Sequence, residues 1–135
     1  MRLQVSFKSG KPVYLQVVDQ VKTAVACGTL RAGDPLPGIR PLAESLRVNR
    51  NTIAKAYGEL ESQGVIQTAA GKGCVVRDGG SPYRKDVRLD LLKHDIDAAV
   101  VQAHHLQIGR ADFLRLAEAR FDAFAQQRHE AGPTS

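Results

Sequence analysis

Between residues 39 and 63, two apolar helical patterns follow one another with only three or four residues between them. In the first, Ile39, Leu42, Ala43 and Leu46 recur at the spacing of one buried face, and Pro41 is tolerated because it lies in the first turn, where a backbone N–H has no intrahelical partner. In the second, Ile53, Ala56, Tyr57 and Leu60 repeat the pattern, with Asn49 placed to cap the start and Gly64 to stop the end. Two helices joined by so short a turn form a helix-turn-helix, which offers its second helix to a partner.

The other side of that second helix names the partner. Arg50, Asn51, Ala54, Lys55 and Gly58 fall there without an acid among them, and Glu59 and Glu61 come only toward the far end. Such a face suits the major groove of double-stranded DNA. Arg50 can fork onto guanine, Asn51 onto adenine, Thr52 can add a hydroxyl contact, and Lys55 is long enough to reach phosphate. On this helix alone, a merely solvated basic face remains the competing explanation.

The flanking sequence completes a recognisable order. Leu3, Val5 and Phe7 alternate as in a short strand, and a helix from about Val13 carries Tyr14, Val17, Val18, Val21 and Val25 on one side, with Gly28 as its stop. After the second helix of the pair, "VIQT" and "CVVR" flank "AAGKG", a β-hairpin whose tip holds Gly71, Lys72 and Gly73. Residues 1–80 therefore read as a winged helix-turn-helix, mainly α with a small β-hairpin.

Charge is divided along the same line. Residues 1–80 hold 11 Lys and Arg against 6 Asp and Glu, whereas residues 81–135 hold 8 against 8, so the whole net charge of +5 belongs to the first part. Clustered cations gain by releasing counterions condensed on an acidic polymer. No apolar run is long enough to span a membrane, and "MRLQVSFKSG" lacks the apolar core of a signal peptide, which points to a cytoplasmic protein. Cys27 and Cys74 are too few for a disulfide scaffold and are expected as free thiols; a redox pair is the less favoured alternative.

Residues 81–135 have a different logic. Leu89, Leu92, Ile96, Ala99, Ala103 and Leu106 repeat at 3, 4, 3, 4 and 3, a heptad-like seam. Gly109 is expected to end that helix and Asp112 to cap another, with Phe113, Leu116, Ala117, Phe121 and Phe124 on one side. Two helices alone bury too little surface to be stable, so a second copy of the chain is expected to cover them. The alternative is that they fold back on their own winged domain.

Residues 12–76, and above all "GDPLPGIRPLA", "VNRNTIAKAYGELESQG" and "GKGCVV", resemble the DNA-binding domain of the GntR family of bacterial transcription regulators. The resemblance implies operator contacts from Arg40, Arg50, Thr52 and the wing tip Gly71, Lys72 and Gly73. Two departures stand out: Gly38 replaces the usual Ser, and Ala54 stands where many members carry a second basic residue. The short tail is similar to that of the YtrA subfamily, whose two C-terminal helices serve dimerisation and whose targets are often neighbouring transporter operons.

Catalytic and cofactor chemistry finds no foothold. No Ser/His/Asp or paired-carboxylate set can be assigned to a cleft, and "GKG" lacks the frame of a phosphate-binding loop. His94, His104, His105 and His129 raise a metal site, but only Asp90 and His94 share an i, i+4 spacing. The expectation is a homodimeric repressor on a two-fold operator. Two alternatives stay open: a regulator sensing an unidentified small-molecule effector or a metal at the dimer seam, and a ligand-independent protein that bends DNA or recruits a corepressor.

Overall fold

The computed structural model describes residues 2–79 and 83–131. The expected boundary between residues 80 and 81 lies outside them. Three helices come first, α1 (Val13–Ala26), α2 (Ile39–Leu46) and α3 (Arg50–Ser62), followed by strands β1 (Ile66–Ala69) and β2 (Gly73–Val76) and helices α4 (Lys85–His105) and α5 (Arg110–Ala131). This is a winged helix-turn-helix followed by a pair of helices.

The apolar periodicities account for the packing. Val17 and Val21 of α1, Leu42 and Leu46 of α2, and Ile53 and Leu60 of α3 meet in one core, which Ile66 and Val76 of the hairpin close from the side. Helices α1 and α2 both pack on α3. Arg47 ends α2 in a left-handed conformation, φ 59°, and Val48 N–H then reaches Ala43 O at 3.0 Å. That conformation costs a non-glycine residue roughly 1–2 kcal/mol, offset by burial of the core on either side of the turn.

The strand expected over Leu3–Phe7 is absent; Leu3 and Val5 pack against the core as the alternation implies, but Phe7 is 66% exposed. Side chains of α1 take the place of a neighbouring strand. Gln20 Oε1 accepts from Gln4 N at 3.0 Å and its amide donates back to Gln4 O, while Gln16 Oε1 accepts from Ser6 N at 2.8 Å and its Nε2 donates to Ser6 O at 3.0 Å. The backbone is thus paired without a sheet.

The tail helices also end and begin at other residues than expected. Helix α4 ends at His105, and Gln107 rather than Gly109 takes the left-handed conformation, φ 60°. Gly109 instead precedes α5, and its carbonyl accepts from Phe113 N at 2.9 Å. Asp112 therefore lies inside the first turn, bonded to Arg115, and does not cap the helix. An acid there still opposes the positive end of the helix dipole, the same chemistry a cap would use.

Candidate nucleic-acid interface

Helix α3 is held at its start by Asn49, whose Oδ1 accepts from Asn51 N at 2.7 Å. With Ile53, Ala56, Tyr57 and Leu60 buried, the opposite face presents Arg50, Asn51, Ala54, Lys55 and Gly58 to solvent, while Thr52 is half-buried. The two acids at the far end are engaged locally. Glu61 accepts from Thr68 Oγ1 of β1 at 2.9 Å, and Glu59 accepts from Gln63 Nε2 at 2.9 Å.

Two basic side chains proposed for this surface, Lys55 on α3 and Arg40 on α2, have close neighbours. Lys55 Nζ lies 4.1 Å from the centroid of the Tyr14 ring, which brings the first turn of α1 beside the exposed side of α3. Arg40, in the first turn of α2, faces Glu44 at 3.7 Å, with both side chains mostly exposed. A solvated i, i+4 pair of this kind contributes little and releases Arg40 readily. The Arg-x-x-x-Glu spacing was the available signal for the second; nothing in the linear sequence signals the first.

The wing is a two-stranded antiparallel hairpin in the register Ile66↔Val76 to Ala69↔Gly73. Lys72 N donates to Ala69 O at 3.0 Å and closes the tip. Gly71 and Gly73 adopt φ of 74° and 70°, and an added Cβ would meet nothing within 4 Å at either, so backbone conformation and not space calls for glycine here. Lys72 stands exposed between them.

A third strand-like segment, missed in the sequence, braces this hairpin. Gly33 N donates to Val76 O, Val76 N to Asp34 O and Leu36 N to Cys74 O, each at 2.9 Å, and Pro35 bridges to Val75. Two prolines within "GDPLPG" obscured it, since proline removes ladder donors; here the N–H groups used are those of Gly33 and Leu36, and Pro35 faces Val75 at a position that needs no donor of its own.

The tail leaves its apolar residues uncovered. Leu89, Leu92, Ile96, Ala99 and Leu106 are exposed, Ala103 and Phe113 are half-buried, and Phe121 is 74% exposed. Helix α4 carries an opposite exposed row as well, Val87, Leu91 and Val101, which the single-seam reading missed. Among the described residues, α4 and α5 make only marginal contact with each other or with the winged domain. Also among them, no group of three or more His, Cys, Asp or Glu could hold a metal, no helix is long and apolar enough to cross a membrane, and Cys27 and Cys74 are free thiols. His94 lies 4.0 Å from Asp90.

Fold and surface together define a DNA-binding regulator of the winged-helix class. The family described as "Bacterial regulatory proteins, gntR family" matches residues 13–76. The HTH-type transcriptional repressor YtrA of Bacillus subtilis is 31% identical over 103 residues, covering 76% of this chain and 79% of that protein. A solved structure described as a transcriptional antiterminator from Listeria monocytogenes superposes with a TM-score of 0.76 at 29% identity, over 89% of this chain and 90% of the other. The AraR DNA-binding domain, solved in complex with operator ORX1, matches at 30% identity and a TM-score of 0.50, over 56% of this chain and 98% of that one. The chain belongs to the GntR family and is a YtrA-like transcriptional regulator.

Proposed function

We propose that the protein is a homodimeric repressor, with no enzymatic activity, that reads a two-fold operator. Arg50 and Asn51 contact base edges; Arg40, Thr52 and Lys55 hold phosphate and register; and the wing tip Gly71, Lys72 and Gly73 follows the backbone beside them. The observation that carries this reading is the exposed, acid-free face of α3, capped by Asn49 and carrying Arg50, Asn51 and Lys55. An operator complex of a similar domain and the repressor role of a similar protein support it. For the tail, the uncovered apolar rows of α4 and α5 support contact between two copies, because isolated helices with such faces would otherwise leave large apolar patches in water. Selection of binding sites from a random duplex pool tests the proposal. A two-fold consensus that binds wild type and loses Arg50→Ala supports it; failure to enrich any sequence overturns it.

A second reading, in which an effector tunes the repressor, has one observation in its favour. A cleft of about 520 Å³ lies between the far end of α3 and the tail, lined by Lys22, Glu59, Gln63, Tyr83, Leu91 and His94. Its mixed charges and apolar patch suit a small polar metabolite. A thermal-shift panel of metabolites, with saturable stabilisation as the positive result, tests it.

A further inference from the structure

We propose that Tyr57 is a positioning residue for DNA reading: through its hydroxyl it keeps the recognition helix, the amino end of α2 and the wing in one register. This rests on the operator-reading function proposed above and concerns a residue that faces the core and touches no DNA.

Three connections converge on one short segment. Tyr57, 4% exposed, projects from the inner face of α3, and its Oη donates to Pro37 O at 2.7 Å, twenty residues back in the chain. Pro37 immediately precedes Gly38, the residue from which α2 and Arg40 begin. The residues just before Pro37 are bonded to the wing, through Gly33, Asp34 and Leu36 on β2. Residues 33–37 thus join the wing on one side to α2 on the other, and the Tyr57 hydroxyl ties that segment to the recognition helix.

The neighbouring contacts would not do this alone. Packing through Ile53, Ala56 and Leu60 holds α3 in the core, but dispersion contacts are weakly directional, whereas a hydrogen bond from a rigid ring fixes a distance and an angle. Proline also has no N–H, so the carbonyl is the only backbone hydrogen-bonding group at residue 37. The bond is only part-buried and Pro37 lies at the surface, so removing the hydroxyl takes away one hydrogen bond without deleting core volume. Tyr57→Phe should therefore leave the core filled and the protein folded while releasing the segment. The consequence falls on discrimination, which needs all three DNA-facing parts in place together, more than on general attraction to phosphate.

The test uses the full chain and the operator selected from random duplexes. Affinities for operator and for random DNA are compared in wild type, in Tyr57→Phe, and in Val21→Ala, which lowers thermal stability from a buried site on α1 that makes no hydrogen bond to the segment through its side chain. Tyr57→Phe is expected to lose roughly three- to tenfold on operator, the equivalent of one neutral hydrogen bond, with random-DNA affinity unchanged and weaker footprint protection under the wing. Val21→Ala is expected to lower the melting temperature without changing the ratio of the two affinities. Equal operator-to-random ratios in wild type and Tyr57→Phe overturn the role of Tyr57 alone, as does an equal fall in the ratio for Val21→Ala. A wild type that selects no sequence overturns the operator reading itself, and this role with it.

Discussion

The ammonium of Lys55 sits over the ring of Tyr14, 4.1 Å from its centroid, so a residue of α3 is steered by a residue of α1. The contact holds a flexible side chain at the edge of the proposed DNA face, where an unsupported lysine would sample many rotamers. Lys55→Met should weaken both operator and random DNA and lower the slope of log affinity against log salt by about 1. Tyr14→Leu should weaken binding less, by up to about 1 kcal/mol, with the salt slope unchanged. Fluorescence anisotropy at several salt concentrations separates the two; an unaltered slope in Lys55→Met would show that its charge stays off the phosphates.

The two arginines should fail differently. Arg50→Ala should cost about 1–3 kcal/mol on operator and relax preference at one position of each half-site. Arg40→Ala should weaken operator and random duplex alike, and Glu44→Gln should strengthen both slightly by removing the acid that faces Arg40. A gel-shift titration in which neither arginine variant differs from wild type would remove the proposed interface.

Gly38 and Pro41 should behave as a coupled pair. An added Cβ at Gly38 would lie 3.2 Å from Pro41 Cδ, and Pro41 has no N–H for a serine hydroxyl at position 38 to cap. Gly38→Ser alone should therefore be neutral or destabilising. Combined with Pro41→Glu, it completes a capping box and should add about 1 kcal/mol. Urea denaturation of both single variants and the double gives the coupling; simple additivity would refute it.

Ile96 tests the tail. If α4 meets a second copy, Ile96→Asp buries a charge without a partner, at a cost of several kcal/mol that two-fold symmetry applies twice. Sedimentation should show a wild-type dimer at tens of micromolar and a monomeric variant, with the circular dichroism of the winged domain retained. A wild-type monomer at that concentration would end the dimer proposal.

Tyr57 also sets an alkaline limit. Burial, with a smaller contribution from Cys74, holds its hydroxyl well above the ordinary value of about 10. A raised folded-state value means that stability is complete below about pH 10 and is lost as pH rises beyond it, because the unfolded chain ionises first. The advantage of wild type over Tyr57→Phe in urea should thus shrink between about pH 8 and 11. A constant difference across that range would place the hydroxyl in water.

Much of this was legible from spacing. Buried faces at Leu42, Ala43 and Leu46 and at Ile53, Ala56, Tyr57 and Leu60 give the helix pair, and Asn49 and Gly64 mark the ends of α3. What escaped depends on contacts between distant parts. The Leu3–Phe7 segment has a strand's alternation but finds glutamine side chains where a strand was expected. Gly109 has the residue type of a helix stop, yet Gln107 performs that role, because local bonding and not composition decides which residue turns left-handed. Lys55 over Tyr14 joins positions 41 residues apart, beyond the reach of any periodicity.

The hold of Gln16 and Gln20 on the amino-terminal arm carries a consequence for how that arm can change. Both glutamines grip main-chain groups of Gln4 and Ser6, so the identity of the side chains at those two positions is of little account to the grip. Almost any residue can stand at 4 or 6, except proline, which has no N–H to give. The tolerance of positions 4 and 6 to mutation is thus written in α1, whose two glutamines would both have to change before that main-chain grip was lost.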